Sequence, residues 1–295
     1  MLYKFRKKFI TPYLFLLPGF IFLAVWLIYP MLKSFQISLF NWSFVPGGEN
    51  KFNDFANYLR AFKDKNFWIA LKNTFIYLRV SVPGQLVLGL IVALLLEKIH
   101  KLKVFFRAGY YIPVITSFVI VTLLFKYLFN SSPGGLINYL LTDFFHVISK
   151  PISWLTEPNT ALIVICLIGI FKGIGWTMVI FLAALQAIPD DYYQAASIDG
   201  ADDWQIIRYI SFPLLLPTII LVLIMLSIGS FQAYIQVALL TNGGPFHQTE
   251  VMLSYMYYQA FSNRDFGYAS AISFLLVIIV FTISQFQLRL IRDND

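Results

Sequence analysis

The sequence predicts an all-α membrane protein with six transmembrane helices. Of its 295 residues, 59% are hydrophobic and only 13% are charged, and the mean hydropathy is +0.72. Soluble domains carry roughly 25% charged residues, so this chain has too little polar surface to cover itself in water. Its 30 Phe and 17 Tyr often stand at the ends of apolar runs, as the aromatic belts of a bilayer require.

Six apolar stretches are each long enough to cross about 30 Å of hydrocarbon as a helix. We place these spans near residues 12–32, 74–96, 108–129, 160–183, 214–236 and 268–289. The first span follows a basic stub, but its apolar part is too long for a signal peptide, so we expect a retained anchor. We therefore expect an N-terminal span with an external segment over residues 1–73, and a core over residues 74–290.

The basic residues predict the orientation. They are concentrated before the first span and in the second connection, which predicts that both lie in the cytoplasm, and Arg289 and Arg292 place the C-terminus there too. The connections at 130–158 and 237–267 hold one base each and should lie outside. The loop at about 33–73 holds six bases and fits this rule less well, so we expect it to be a small folded external segment.

The segment 190–212, "DDYYQAASIDGADDWQIIRYISF", is a polar interruption of this apolar chain. It contains five of the fifteen acidic residues against one base, Arg208. The predicted topology places it in the cytoplasm, where anionic lipids repel an acidic loop. We therefore expect this segment to face another protein.

The spacing of polar residues in this segment predicts two short helices. Asp191 with Gln194, and Asp202 with Gln205, each have the spacing of a capping box at a helix start. Gly200, between them, is expected to adopt the left-handed conformation that ends a helix. From these caps alone, a surface hairpin without a partner is an equal alternative.

The motif "QAASIDGA" follows "LAALQAIPDDYY" and precedes "ISFPLLLP". This order resembles the EAA signature of ATP-binding-cassette importer permeases, and the resemblance covers about residues 70–290. It implies a type I importer (MetI-like) core with an extra N-terminal span, in which residues 190–212 dock into a nucleotide-binding subunit. The docking residues it implies are Asp191, Gln194, Ala195, Ala196, Ser197, Asp199, Gly200 and Ala201. Gln194 stands where the family usually has Glu, and a neutral amide forms weaker bonds than a carboxylate.

A second stretch, "LLTNGGPFHQTEVMLSYMYYQAF" with "FGYASAIS" after it, is similar to the outer loop and last span of the first permease in carbohydrate importers. That subclass implies a second homologous permease, two ATPase subunits and an extracytoplasmic solute-binding protein. The implied function is passage of a sugar, oligosaccharide or polyol across a bacterial or archaeal cytoplasmic membrane, with a glycerol-3-phosphate importer as the alternative. By itself, "TNGGP" indicates only a turn.

The sequence lacks the residues that an enzyme, a metal site or a secondary transporter would need. There is no G-x-x-x-x-G-K-[ST] phosphate loop and no catalytic grouping, so we expect no enzyme and no cofactor in this chain, and ATP with magnesium in the partner ATPase subunits. One cysteine and three histidines without ligand spacing predict no metal site. The net charge of +7 is spread over short connections, which membrane topology explains better than nucleic acid. A secondary transporter needs intramembrane carboxylates, yet the acids fall in loops, at span ends or near the termini.

The fourth span carries a stripe of small and polar residues. Gly169, Lys172, Gly173 and Trp176 recur with the spacing of one helix face. Two glycines four residues apart indicate close helix packing equally well. A lysine near the middle of a span faces a solute or water, or it satisfies backbone carbonyls at a kink.

The fifth span offers a second polar face if it is one helix. Ser230, Ala233 and Tyr234 would share one face, and Gln232 and Gln236 an adjoining one. The resemblance to maltose-type permeases implies sugar contacts at Gly169, Lys172, Gly173, Trp176, Ser230 and Ala233. We add Gln232 and Tyr234, because polar side chains at membrane depth usually face a protein interior or a cavity. The Lys172–Gly173 pair resembles that of many neutral-sugar permeases and favours a neutral solute.

Overall fold

The computed structural model describes residues 2–42, 50–99, 101–132 and 135–292, and the side chains of 13–42, 50–99, 101–132 and 135–289. Five of its helices are long and apolar enough to cross a membrane: Tyr13–Ser38, Lys65–Lys98, Pro158–Gln186, Asp203–Ser230 and Phe266–Arg289. A bent pair, Lys103–Ile115 and Phe118–Leu128, makes a sixth if it is counted as one span. The predicted all-α membrane architecture is confirmed.

The elements follow in chain order, and four π-helical turns interrupt the α-helices. The N-terminal half contains α1 (Leu2–Leu23), a π-turn (Ala24–Ile28), α2 (Tyr29–Ser38), β1 (Phe40–Asn41), β2 (Lys51–Phe52), α3 (Ala56–Lys63), α4 (Lys65–Lys98), α5 (Lys103–Ile115), α6 (Phe118–Leu128), α7 (Leu136–Tyr139) and a π-turn (Leu140–Phe144). The C-terminal half contains α8 (Pro158–Gln186), α9 (Asp190–Ile198), α10 (Asp203–Ile206), a π-turn (Ile207–Ser211), α11 (Phe212–Ser230), α12 (Ile235–Leu240), α13 (Met252–Tyr257), a π-turn (Tyr258–Ser262) and α14 (Phe266–Arg292).

The described chain packs as two compact units, of which the first comprises residues 1–64 and 256–275. It contains a two-stranded antiparallel ribbon, in which Phe40 pairs with Phe52. The buried Asn57 amide donates to the carbonyls of Ser38 and Phe40 at 2.9 and 3.0 Å, which fixes α3 against the ribbon. The described parts of the predicted external segment, 33–42 and 50–73, are therefore folded as predicted, although the ribbon was not predicted. Residues 43–49 of that segment lie outside the described residues, and its external location stays a prediction.

The second unit comprises residues 65–255 and 276–295 and is organised around α8. Two apolar clusters lie along this helix, one around Ile165 and one around Phe181. Small residues let the neighbouring helices approach closely: a Cβ on Gly89 of α4 would overlap Thr177, and one on Gly175 would overlap the Tyr110 carbonyl of α5. Such contacts are what membrane helices need, because lipid supplies no hydrophobic drive for them to associate.

The predicted third span, 108–129, is not a single helix, so that expectation was wrong. α5 and α6 meet at an angle of 94°. Thr116 is extended, and Ser117 caps α6 by accepting a bond from the Val119 amide at 3.3 Å. Hydropathy reports the apolar run but not this break within it.

The predicted fifth span, 214–236, was also wrong in its bounds. Its helix begins at Asp203 and ends at Ser230. Amides after the helix turn back onto nearby carbonyls, Gln232 onto Gly229 at 3.0 Å, before α12 begins. The predicted boundary at residue 73 falls within α4, and the division into domains 1–73 and 74–290 stays a prediction.

The predicted "TNGGP" turn is confirmed. Asn242 and Gly243 have φ values of 49° and 78°, which reverse the chain. The Asn73 amide of α4 donates to the carbonyls of Gln248 and Glu250 at 2.7 and 2.9 Å. These two bonds attach the loop after α12 to α4.

Candidate functional sites

A cavity of about 370 Å³ lies within the second unit, between α4, α5, α6, α8 and α11. Its lining is mostly apolar, with a few polar groups. The described residues that line it are Tyr77, Gln85, Val114, Phe118, Gly169, Lys172, Gly173, Trp176, Met225, Leu226, Gly229 and Ser230. Five of the eight predicted solute contacts are among them: Gly169, Lys172, Gly173, Trp176 and Ser230.

Gly169 and Gly173 pack closely against α4, which is one of the two roles that the sequence left open, and their contact with a solute stays a prediction. A Cβ on Gly169 would overlap the Tyr77 hydroxyl, and a Cβ on Gly173 would overlap the Gln85 carboxamide. The glycines therefore allow α8 to pack against α4. They also make the room in which two polar side chains of α4 reach the cavity.

Lys172 is the charged residue among the described lining residues, and its ammonium group is fully engaged. It donates to the carbonyls of Pro113, Val114 and Thr116 at 3.0, 3.2 and 2.6 Å, and lies 4.5 Å from the centre of the Phe118 ring. Carbonyls at a helix C-terminus lack intrahelical partners, and a cation there is favourable. Lys172 thus ties α8 to the break between α5 and α6, which is the kink alternative. Its contact with a solute stays a prediction.

The other polar lining groups differ in how far they are engaged. The Tyr77 hydroxyl accepts a bond from Gln236 at 3.2 Å, and the Ser230 hydroxyl donates to the Ser227 carbonyl at 2.7 Å. The indole of Trp176 is half-buried, and no described group accepts its N–H. Trp176 packs in part against the apolar cluster around Phe181 and also lines the cavity, so the packing alternative and a solute contact are both compatible with its position.

Three predicted contacts lie outside the lining of this cavity: Gln232, Ala233 and Tyr234. The argument that Ser230, Ala233 and Tyr234 share a helix face was wrong, because the helix ends at Ser230. Ala233 is 5% exposed and packs in the apolar cluster around Ile165. Gln232 is exposed and Tyr234 half-buried at the start of α12.

Sequence reasoning missed Tyr77 and Gln85, although a signal for them exists. Asn73, Tyr77, Ser81 and Gln85 recur every four residues in an apolar span, and all four are buried. Polar residues in such a stripe indicate a face turned toward protein or water.

The second candidate site is the polar segment 190–212. Its first helix, α9, ends as predicted, with Gly200 at φ +77°. The Ala201 amide donates to the Ala196 carbonyl at 2.9 Å and the Gly200 amide to the Ser197 carbonyl at 3.2 Å, which is a Schellman motif.

One of the two predicted capping boxes is present. The Gln205 amide donates to the Asp202 carboxylate at 2.7 Å, and the Gln205 side chain accepts from the Asp202 amide at 2.8 Å. The box predicted for Asp191 and Gln194 was wrong, because α9 begins at Asp190 and Asp191 is already inside the helix. The two acids of this first turn still complement the helix dipole.

Six of the eight predicted docking residues of this segment are exposed; Ala196 is buried and Ala201 half-buried. A hollow of about 650 Å³ lies along α9 and is lined by Pro189, Asp191, Tyr192, Ala195, Ala196, Asp199 and Ile210. Ile198, at the end of the helix, is 86% exposed. Acidic and apolar groups thus stand together on an open surface.

The chain matches the family described as binding-protein-dependent transport system inner membrane component over residues 74–292. It is 32% identical to the probable ABC transporter permease protein YurN of Bacillus subtilis, with 97% of each chain covered. It is 33% identical to the lactose transport system permease protein LacF of Rhizobium radiobacter, with 97% of this chain and 95% of LacF covered.

The fold is also similar to that of a chain in a solved structure, a bacterial ABC transporter involved in the import of the acidic polysaccharide alginate. The TM-score is 0.84, the identity is 23%, and 99% of this chain and 98% of the other are covered. At that identity the likeness shows the shared fold, and the predicted site residues stay predictions.

Proposed function

We propose that this chain is a permease subunit of an ATP-driven importer for a neutral sugar, oligosaccharide or polyol. The premise is its family: the chain belongs to the binding-protein-dependent transport system inner membrane components. The lactose transport named for LacF supports a carbohydrate solute. The sequence has no phosphate-binding loop, so ATP hydrolysis belongs to partner subunits.

The observation that carries this proposal is the cavity between α4, α8 and α11. Its volume of about 370 Å³ falls within the roughly 300–1,000 Å³ of small-molecule sites. The Trp176 ring offers sugar C–H groups a flat apolar surface and a hydroxyl one N–H donor.

The charge of the cavity favours a neutral solute over a glycerol phosphate. Among the described lining residues the charged one is Lys172, and three carbonyls already take its donors. A phosphate ester would have to compete with those carbonyls. A neutral hydroxylated solute needs only weak hydrogen bonds, which also allow release.

The cavity is open on the α11 side, which supports a partner there. Met225 is 50% exposed, and Gly229 has no atom within 4 Å of an added Cβ. A second homologous permease would close this side, and a solute-binding protein would deliver the solute from outside. We place both termini in the cytoplasm, on the side of two ATPase subunits.

Residues 190–212 would couple this permease to an ATPase subunit. The Gly200 motif and the Asp202–Gln205 box define the turn between α9 and α10, and the exposed acidic and apolar groups of the segment suit a protein cleft. Cys166 is buried and is the single cysteine, so Ser197→Cys would supply the one accessible thiol. We expect it to cross-link to cysteines scanned along the ATPase; reaction with lipid-phase probes alone would refute the docking.

Uptake by the complete importer in proteoliposomes tests the solute. The panel contains labelled lactose, maltose, raffinose, glycerol and glycerol 3-phosphate, each with its binding protein. We expect ATP-dependent uptake of a neutral member, and Trp176→Ala should lower it at least about tenfold while assembly and binding-protein-stimulated ATP hydrolysis persist. Uptake of glycerol 3-phosphate alone, or uptake independent of ATP, would contradict the proposal.

A further inference from the structure

Gln85 of α4 is a buried residue whose side-chain amide lines the cavity. The residue is 8% exposed, and it lines the cavity beside Gly173 and Trp176. In the part of the chain that the structure describes, no group bonds its carboxamide. An amide that lines a cavity and has no bonding partner among the described residues is expected to bond what fills that cavity, because a polar group left unpaired costs free energy.

The close contact between α4 and α8 brings this amide to the cavity wall. The Thr177 hydroxyl, itself fully buried, donates to the Gln85 backbone carbonyl at 3.0 Å. On the facing turn of α8, Gly173 lacks the Cβ that would overlap the Gln85 carboxamide oxygen. The contact between the two helices therefore places the carboxamide in the wall of the cavity.

The Lys172 ammonium has no donor left, and the Tyr77 and Ser230 hydroxyls are each engaged in part. The Lys172 ammonium uses its donors on three carbonyls, the Tyr77 hydroxyl accepts from Gln236, and the Ser230 hydroxyl donates to a carbonyl. Gln85 retains two N–H donors and a carbonyl acceptor. Each hydroxyl of a sugar both donates and accepts, so a carboxamide can pair with two neighbouring hydroxyls. A phosphate only accepts and would leave the carbonyl unpaired.

We propose that Gln85 is a specificity-determining residue that bonds two hydroxyls of the solute, while Trp176 packs against the face of the same molecule. This assignment rests on the proposed function. It adds α4 to the spans that contact the solute. It also predicts that the importer distinguishes solutes by the arrangement of their hydroxyls rather than by their charge.

The test uses the complete importer in proteoliposomes with saturating loaded binding protein. The probes are the sugar of the panel that the wild type takes up fastest and its monodeoxy analogues. Gln85→Met keeps the length of the side chain and removes its polar atoms. Ser81→Ala is the matched control, because Ser81 lies one turn away on the buried face of α4 and bonds a backbone carbonyl at 3.2 Å.

Removing one hydroxyl bond should slow uptake about five- to tenfold. We expect one or two analogues to show that loss in the wild type and in Ser81→Ala. Gln85→Met should take up the parent sugar slowly, and its uptake rate should not fall further with those analogues. Gln85→Glu, of equal size, keeps the acceptors but not the donors and should lose selectivity for the same hydroxyls.

Parent-to-analogue ratios equal to the wild type in both variants would overturn the assignment. So would failure of both variants to assemble while Ser81→Ala assembles, since the amide would then serve packing. If the wild type takes up no carbohydrate or polyol, the proposed function fails and this assignment with it. Wild-type uptake with unchanged ratios in the variants removes the assignment alone.

Discussion

The two candidate sites of this protein are built in different ways. The polar segment 190–212 is shaped by bonds between residues that are close in sequence, such as the Asp202–Gln205 box. The cavity is assembled from five helices, and the Lys172–Thr116 bond joins residues 56 positions apart. The segment is thus a local structure presented outward, whereas the cavity exists only once the helices have packed.

The largest effect should come from the helix contact that makes the cavity. Gly173→Leu places a side chain where the Gln85 carboxamide lies, so the carboxamide must be displaced or α4 and α8 must separate. Overpacking of this kind costs about 1–3 kcal/mol. We expect uptake to be abolished and the melting temperature of the purified importer to fall.

Gly109→Ala of α5 is the control, because an added Cβ there has no atom within 4 Å and Gly109 is not among the lining residues of this cavity. It should assemble and melt as the wild type does. If Gly173→Leu transports at the wild-type rate, the α4–α8 contact is not what shapes the pathway.

A smaller change in stability is expected at Gly200, with a selective effect on coupling. At φ +77° a β-branched residue is strained, by about 1–2 kcal/mol. Gly200→Val should reshape the end of α9, so that the importer assembles but uptake per ATP hydrolysed falls. Gly200→Asn tolerates this conformation and should retain coupling; an unchanged ratio in Gly200→Val would speak against the hairpin as the coupling element.

The smallest expected effect is a difference in amide hydrogen exchange between a variant of Asp202, which caps α10, and a variant of Asp191, which caps no helix. Asp202→Ala removes a side-chain cap worth about 1 kcal/mol and should speed amide hydrogen exchange at residues 203–206 about fivefold. Asp191→Ala removes no cap and should leave the protection of α9 nearly unchanged. Equal effects of the two substitutions would mean that local caps do not set the shape of this segment.

The same contrast explains which features of the two sites could be predicted from the sequence. Gly200 was predicted correctly because its left-handed conformation is a property of a few neighbouring residues. The stripe from Gly169 to Trp176 was also predicted, since helical spacing alone brings these residues to one face. Gln85 was missed because it joins them only through the packing of another helix.

Two errors have the same physical origin. Ala233 was assigned to a helix face that does not exist, because hydropathy continues past Ser230 while the helix does not. The α5–α6 break at Thr116 likewise leaves the apolar run intact. An apolar run reports which residues avoid water, but it does not report a local cap such as Ser117 or contacts such as those of Lys172 at the break.

The most direct test of the cavity as the solute site is a cryo-electron microscopy map of the complete importer, trapped before ATP hydrolysis with the transported sugar bound. We predict solute density between α4, α8 and α11, with the Trp176 ring against one face and the Gln85 carboxamide within hydrogen-bond distance of two hydroxyls. Solute density on a path lined by other spans, with this cavity empty, would contradict that account.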